Sequence, residues 1–251
     1  MRPSHRAVDA SPPSTPSTPA TPATPSAPEA PSGASALCAL DHLTVVCRRL
    51  AEGVNHVERC LGVPLEPGGA HPRMGTHNAL LHLGDDLYLE VLAIDRDAPA
   101  PPHPRWFGLD RLSARARPRL AAWAARTQQL NVLTASAPEP IGSPQAMARG
   151  GYAWTMGLRD DGTLPLDGAA PLLLQWQSAG HPARQLPDRQ CRLRRLDIAH
   201  PDPARLQRLL VHLRMDGLGA LIDVHRAPQA GLTAHIDTRR GRCVLHAGAP
   251  A

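Results

Sequence analysis

Apolar positions crowd a short run at residues 37–47. They then recur at Leu50, Val54, Val57 and Leu61 with helical spacing, up to Gly62, a natural left-handed stop. A strand followed by an amphipathic helix is predicted. After a turn-rich stretch at 64–75, residues 76–83 and 87–94 read as two strands joined by Gly84-Asp85-Asp86 in a hairpin. The first unit is therefore βα followed by two or three strands. Residues 95–118 are rich in Pro and Arg and read as a surface connection, pinned by Trp106-Phe107-Gly108-Leu109 as an aromatic anchor.

The same grammar returns twice. Residues 120–127 are a predicted strand, 128–136 a short helical or irregular stretch, and 151–159 and 171–177 further strands, while Pro138, Pro140 and Pro144 break any longer helix. Beyond a Pro-rich joint at 181–187, residues 193–199 read as a strand. Pro201-Asp202-Pro203 then introduces a helix carrying Leu206, Leu209, Leu210 and Leu213 on one face. Residues 218–224, 232–237 and 242–246 follow as strands. One supersecondary unit is thus used three times at intervals of about 75 residues. Leu40-Asp41-His42 returns as Leu196-Asp197-Ile198, without the histidine.

Composition adds a leader and removes several function classes. Residues 1–36 are dominated by Ser, Thr, Pro and Ala, with Ser-Thr-Pro and Ala-Thr-Pro repeats, and are expected to be disordered. The aromatic fraction is only 3%, so Leu, Val and Ala must fill the core. All 27 basic residues are Arg and the formal charge is +5, but the arginines are scattered among 22 acids without interleaved stacking aromatics, so no nucleic-acid partner is expected. Five cysteines without a C-x-x-C pair indicate reduced thiols and a cytoplasmic protein. No apolar run approaches the ~18 residues of a membrane span. G-x-S-x-G, P-loop and G-x-G-x-x-G motifs are absent.

Candidate chemistry lies in two of the strands. Residues 40–46 carry His42 and residues 87–92 carry Glu90, and a period of two places His42 with Leu40 and Thr44, and Glu90 with Tyr88 and Leu92. An imidazole nitrogen and a carboxylate suit a divalent metal such as Zn, Fe, Mn or Ni. The alternatives are a hydrogen-bonded histidine lining a polar cavity and a carboxylate paired with an arginine. Without a metal, Glu90 is a candidate catalytic general base.

These residues resemble the vicinal oxygen chelate superfamily, and within it the glyoxalase-like domain proteins. The resemblance rests on Leu40-Asp41-His42, Cys60-Leu61-Gly62-Val63, Gly68-Gly69-Ala70-His71-Pro72 running into Gly75-Thr76-His77-Asn78, and Tyr88-Leu89-Glu90. Arg105-Trp106-Phe107-Gly108-Leu109, Gly151-Tyr152-Ala153-Trp154 and Leu173-Leu174-Gln175-Trp176 complete it. It implies an α+β fold of repeated βαβββ modules whose curled mixed sheets form a cup, as in glyoxalase and bleomycin-resistance proteins. The modules would span about 37–95 and 118–178 within a domain at 37–178, with a third βα-strand unit at 190–247 extending or covering the sheet.

Metal ligands in that superfamily come from the first and last strands of each module. This implies His42 and Glu90 from the first module, and positions near Ala122 or Trp123 and near Gln175 from the second. Thr76 and Asn78 are the implied inward pair of their strand. With His71, Tyr88, Trp154 and Gln175 they form the expected substrate-binding set, although a solvated loop role for His71 and core filling for Trp154 fit the residues equally. Two readings follow. One is an enzyme, a lyase, isomerase or dioxygenase acting on a small oxygenated metabolite, with a divalent metal as Lewis acid. The other is a metal-free module that binds and sequesters a small-molecule ligand. A homodimer is the candidate assembly.

Overall fold

The computed structural model describes Met1 and residues 37–247, so the rest of the leader expected at 1–36 lies outside the described residues. The first unit is β1 (Cys38–Cys47), α1 (Leu50–Leu61), β2 (Glu66–His71), β3 (Thr76–Gly84) and β4 (Leu87–Ile94). The second is β5 (Arg119–Thr127), α2 (Leu130–Ser136), β6 (Ser143–Arg149), β7 (Tyr152–Leu158) and β8 (Leu172–Trp176). The third is β9 (Arg192–His200), α3 (Pro203–His212), β10 (Ile222–Arg226), β11 (Gly231–Thr238) and β12 (Gly241–His246). The fold is α+β, and its main feature is a curled mixed sheet.

Eight strands form that sheet in the order β2-β3-β4-β1-β5-β8-β7-β6. Within each half the first strand pairs parallel with the last, and β1 and β5 join the halves antiparallel. The two strands that the sequence pattern missed, β2 and β6, are the edges. Pro67 with Gly68-Gly69 in one and Pro144 in the other disguise them, and an edge tolerates such residues because one side of the strand needs no ladder partner. The edges approach each other, since a Cβ on Gly69 of β2 would stand 3.2 Å from the Arg149 side chain of β6. The sheet therefore curls into a cup.

The third unit does not extend this sheet. Its strands form a separate four-stranded sheet in the order β10-β9-β11-β12, with β9 parallel to the next strand in sequence rather than the last. The succession of elements is repeated but the strand order is not. Leu196, Ile198, Ala234 and Ile236 share one apolar core with Leu43, Val45, Trp123 and Leu173, so this sheet covers the outer face of the cup. Helix α1 is held in the same layer. Gly53 lets it approach β1 and β4, where a Cβ would collide with Cys47 and Val91, and Gly62 ends it at φ +72. Asp202 caps α3 by accepting the Ala204 N–H, with Pro203 in the first turn.

The inner face of the cup has its own core, which includes Val46, Leu92, Trp106, Phe107, Ala122, Ala124, Trp154, Met156 and Leu174. Strand β1 serves both faces, but not by simple alternation. Its pairing with β5 runs Leu40 to Ala125 and then His42 to Ala124, so Asp41 is an extra residue in a β-bulge. This corrects the expected phase. Leu40 lies in the outer core, and Asp41 and His42, adjacent in sequence, are hydrogen-bonded to each other in the buried interior.

Candidate functional site

Register builds the site. Thr44 of β1 is the direct neighbour of Glu90 on β4, and Asn78 of β3 lies diagonal to it through the Leu80–Glu90 pair. Both reach the carboxylate: Thr44 Oγ1–H donates to Glu90 Oε2 at 3.2 Å, and Asn78 Nδ2–H donates to Oε1. A Cβ on Gly68 would collide with Asn78 Oδ1, so the Gly68-Gly69 pair leaves room for the amide that orients Glu90. His42 Nε2 stands 3.9 Å from Glu90 Oε2. That is too long for a hydrogen bond and leaves a gap between two polar groups.

The bulge residue organises the histidines. Asp41 Oδ1 lies 2.6 Å from His42 Nδ1, while Oδ2 accepts the Trp176 indole N–H at 2.9 Å and His181 Nε2–H at 3.0 Å. His181 Nδ1 accepts the Ala183 N–H, which assigns its proton to Nε2. His42 in turn donates from Nδ1, so the Nε2 lone pair faces Glu90, with Tyr88 stacked on its ring at 4.7 Å. Burial raises the Tyr88 phenol well above its ordinary value, and the nearby Asp41 and Glu90 charges add to this, so it stays neutral.

His42, Tyr88 and Glu90 line a small cavity closed by Trp106, Phe107, Trp154, Met156, Leu174 and Trp176. Phe107 takes a left-handed φ of +58 and Gly108 +63, a turn that buries the Trp106 and Phe107 rings. The expected aromatic anchor is thus a wall of the site. His71 packs edge-on to Trp106 and Trp154, with Nδ1 3.1 Å from Thr76 Oγ1. A larger and more open hollow shares Trp106 and Phe107 but contains none of the expected site residues.

His42, His71, Tyr88, Glu90 and Trp154 line one cavity, and Thr76 and Asn78 support it from behind. Gln175 is not brought in. It is one residue out of phase, its amide oxygen accepts the Leu130 N–H at the start of α2, and its neighbours Leu174 and Trp176 take the cavity positions. Trp123 likewise faces the outer core. Asp41, Trp106, Phe107, Arg149 and His181 were not among the expected site residues. A bulge, an unread edge strand and contacts distant in sequence hid them.

The donor set tests the metal implied by the resemblance. A separation of 3.9 Å would let His42 and Glu90 share an ion at about 2.1 Å from each, and Asp41 is the kind of carboxylate that orients a ligating histidine. However, the second half presents Ala122, Ala124 and Leu174 to the cup, and no cluster of three or more His, Cys, Asp or Glu suited to a metal occurs among the described residues. Catalytic sites ordinarily use three protein ligands. The residues present do not fit a resident divalent ion.

The sequence profile of a family described as a glyoxalase-like domain matches residues 40–214. Among solved structures, a hypothetical protein from Staphylococcus aureus superposes with a TM-score of 0.54 at 11% identity, covering 77% of this chain and 88% of that one. Methylmalonyl-CoA epimerase from Mycobacterium tuberculosis superposes at 0.40 with 17% identity, covering 60% of this chain and 95% of its own. The Staphylococcus likeness speaks for the fold alone. No curated protein matches the chain. No helix among the described residues is long and apolar enough to cross a membrane. The profile runs through both halves of the cup and on past the helix of the third unit, and the chain belongs to the glyoxalase-like domain family.

Proposed function

We propose that the protein is a metal-independent isomerase or lyase that moves a proton at the carbon beside a carbonyl in a small oxygenated metabolite. The observation that carries this reading is the 3.9 Å gap between His42 Nε2 and Glu90 Oε2 in a largely aromatic and aliphatic cavity. A buried polar network is costly unless each member is used, and here two proton-accepting atoms are aimed at one point by Asp41, Thr44 and Asn78. The spacing suits neighbouring atoms of a 2-hydroxy carbonyl compound. Glu90 takes the proton as the C–H bond breaks, and the electron pair moves into an enolate whose oxygen carries the charge. His42 Nε2 takes the hydroxyl proton, with Asp41 stabilising the positive charge on the ring, and delivers it to the enolate oxygen. Return of a proton from Glu90 to carbon restores the carbonyl compound.

Hydrogen exchange tests the step whatever the final product. A panel of 2-oxo acids, 2-hydroxy acids and 2-hydroxy ketones is incubated with the protein in D2O and followed by proton NMR. Deuterium should replace the hydrogen on the carbon beside the carbonyl in at least one compound, and Glu90→Gln should slow this about 100-fold. Compounds that bind without exchange would replace this reading with the sequestering module.

The same reading predicts the behaviour toward metals. Protein dialysed against Zn and Mn should retain substoichiometric metal, with no change in His42→Ala. One equivalent retained by the parent and lost in that variant would restore the metal mechanism.

A further inference from the structure

We infer that Arg149 is the receptor for a carboxylate on the ligand, so that the substrate class is a small oxygenated monocarboxylic acid. Arg149 closes the edge strand β6 and is only 6% exposed, yet its side chain lines the same cavity as His42, His71, Tyr88 and Glu90. Five other arginines are paired: Arg105 with Asp110, Arg126 with the Leu40 carbonyl, Arg184 with Asp86, Arg189 with Glu66 and Arg205 with Glu139. Arg149 makes no side-chain hydrogen bond or ion pair among the described residues, and its guanidinium lies instead over the face of Tyr152, 5.8 Å from guanidinium carbon to ring centre. A guanidinium in the cavity lining with no hydrogen-bond partner of its own among the described residues has its donors available for an anion.

A second group points the same way. Trp106 Nε1–H is buried without a partner, and Trp106 is a wall of this cavity. The arginine is also positioned. A Cβ on Gly69 would stand 3.2 Å from Arg149 Cγ and 3.4 Å from Cδ, so the glycine of the opposite sheet edge gives the arginine stem its channel.

A planar guanidinium matches a carboxylate in a two-pronged hydrogen bond. Among the described residues Arg149 is the only Arg lining this cavity, and His71 is held neutral near pH 7 because burial pushes it down to about 4. With the Glu90 carboxylate in the same cavity, a single guanidinium leaves no surplus positive charge for a phosphate dianion, which favours a monoanion. The placement of the reacting carbon at His42 and Glu90 rests on the proposed proton transfer, whereas carboxylate binding does not.

Tryptophan fluorescence supplies a test that is independent of turnover, because Trp106, Trp154 and Trp176 all line the cavity. The parent, Arg149→Met, Arg149→Lys and Glu90→Gln are titrated with pyruvate and lactate and with the methyl ester of each. The parent should bind at least one acid more tightly than its ester, by about 10- to 100-fold, as expected for charge-assisted hydrogen bonds. Arg149→Met should lose this preference, Arg149→Lys should keep part of it, and Glu90→Gln should retain it. Arg149→Met should also melt at the same temperature as the parent or higher, because an unpaired buried charge has been removed. Equal binding of acid and ester by the parent, a preference that survives in Arg149→Met, or a lower melting temperature for that variant would each overturn the assignment. Acid binding through Arg149 without deuterium exchange would leave this inference standing while removing the proposed reaction.

Discussion

Replacing Asp41 with alanine is expected to lower the unfolding free energy by about 4 kcal/mol, the cost of leaving buried partners of a lost charge. The carboxylate has no exposed surface and ties together three parts of the chain, through His42 on β1, Trp176 on β8 and His181 beyond the second unit. Arg126 of β5 adds a fourth partner at 3.9 Å. Burial by itself would raise the Asp41 pKa, but hydrogen bonds from His181 and His42 and their charges outweigh it and hold the carboxyl well below the ordinary carboxylate range. A depressed folded value means that the stabilisation is complete above the unfolded value of 3.8 and is lost as pH falls below it. The measurement is the urea midpoint at pH 7, with the slope checked for constancy. Trp176→Phe removes one of the donors and keeps the charge, so it should cost only about 1 kcal/mol. A loss below that level for Asp41→Ala would mean that the orphaned donors find other acceptors, and Asp41 would no longer be the organiser of the site.

Asp41 also shows how far periodicity reaches. The hydrophobic pattern locates β1, β4, β5 and β8, the four central strands of the cup, because both faces of a central strand are covered and its apolar run is dense. It also places Glu90 correctly beside Tyr88 and Leu92, where β4 pairs regularly with β3 and β1. It fails where the backbone departs from a period of two. The bulge after Leu40 moves Leu40 to the outer core and brings Asp41 onto His42, and no composition rule marks that residue as extra. Gln175, expected from the family resemblance, lies on the opposite face of β8 from Leu174 and Trp176 and does not reach the cavity. Arg149 lies in an edge strand that Pro144 disguises. The apolar frame is therefore legible, and the polar groups that depend on edges, bulges and long-range contacts are not.

Between pH 6.5 and about 4 the folded protein is expected to lose about 3 kcal/mol of stability through His71. Burial against Trp106 and Trp154 is the main cause that drives its pKa down to about 4. Glu90 raises it in part, Arg149 and His77 lower it further, and the contact with Thr76 raises it. In the unfolded chain His71 takes up its proton near 6.5, whereas the folded protein holds the ring neutral until about 4. Across that interval the unfolded state binds more protons, so stability falls as pH falls and the contribution is complete only above 6.5. Asp41 acts in a separate window below 3.8. Half-buried His56 is also shifted down and shares the upper window, so the quantity to read is the difference between parent and His71→Gln. Glutamine keeps a polar partner for Thr76 but cannot titrate. Urea unfolding of both proteins at pH 7, 6, 5 and 4 should give a shallower pH dependence for the variant, by about the 3 kcal/mol assigned to the imidazole. Parallel curves would mean that water reaches the ring in the folded state.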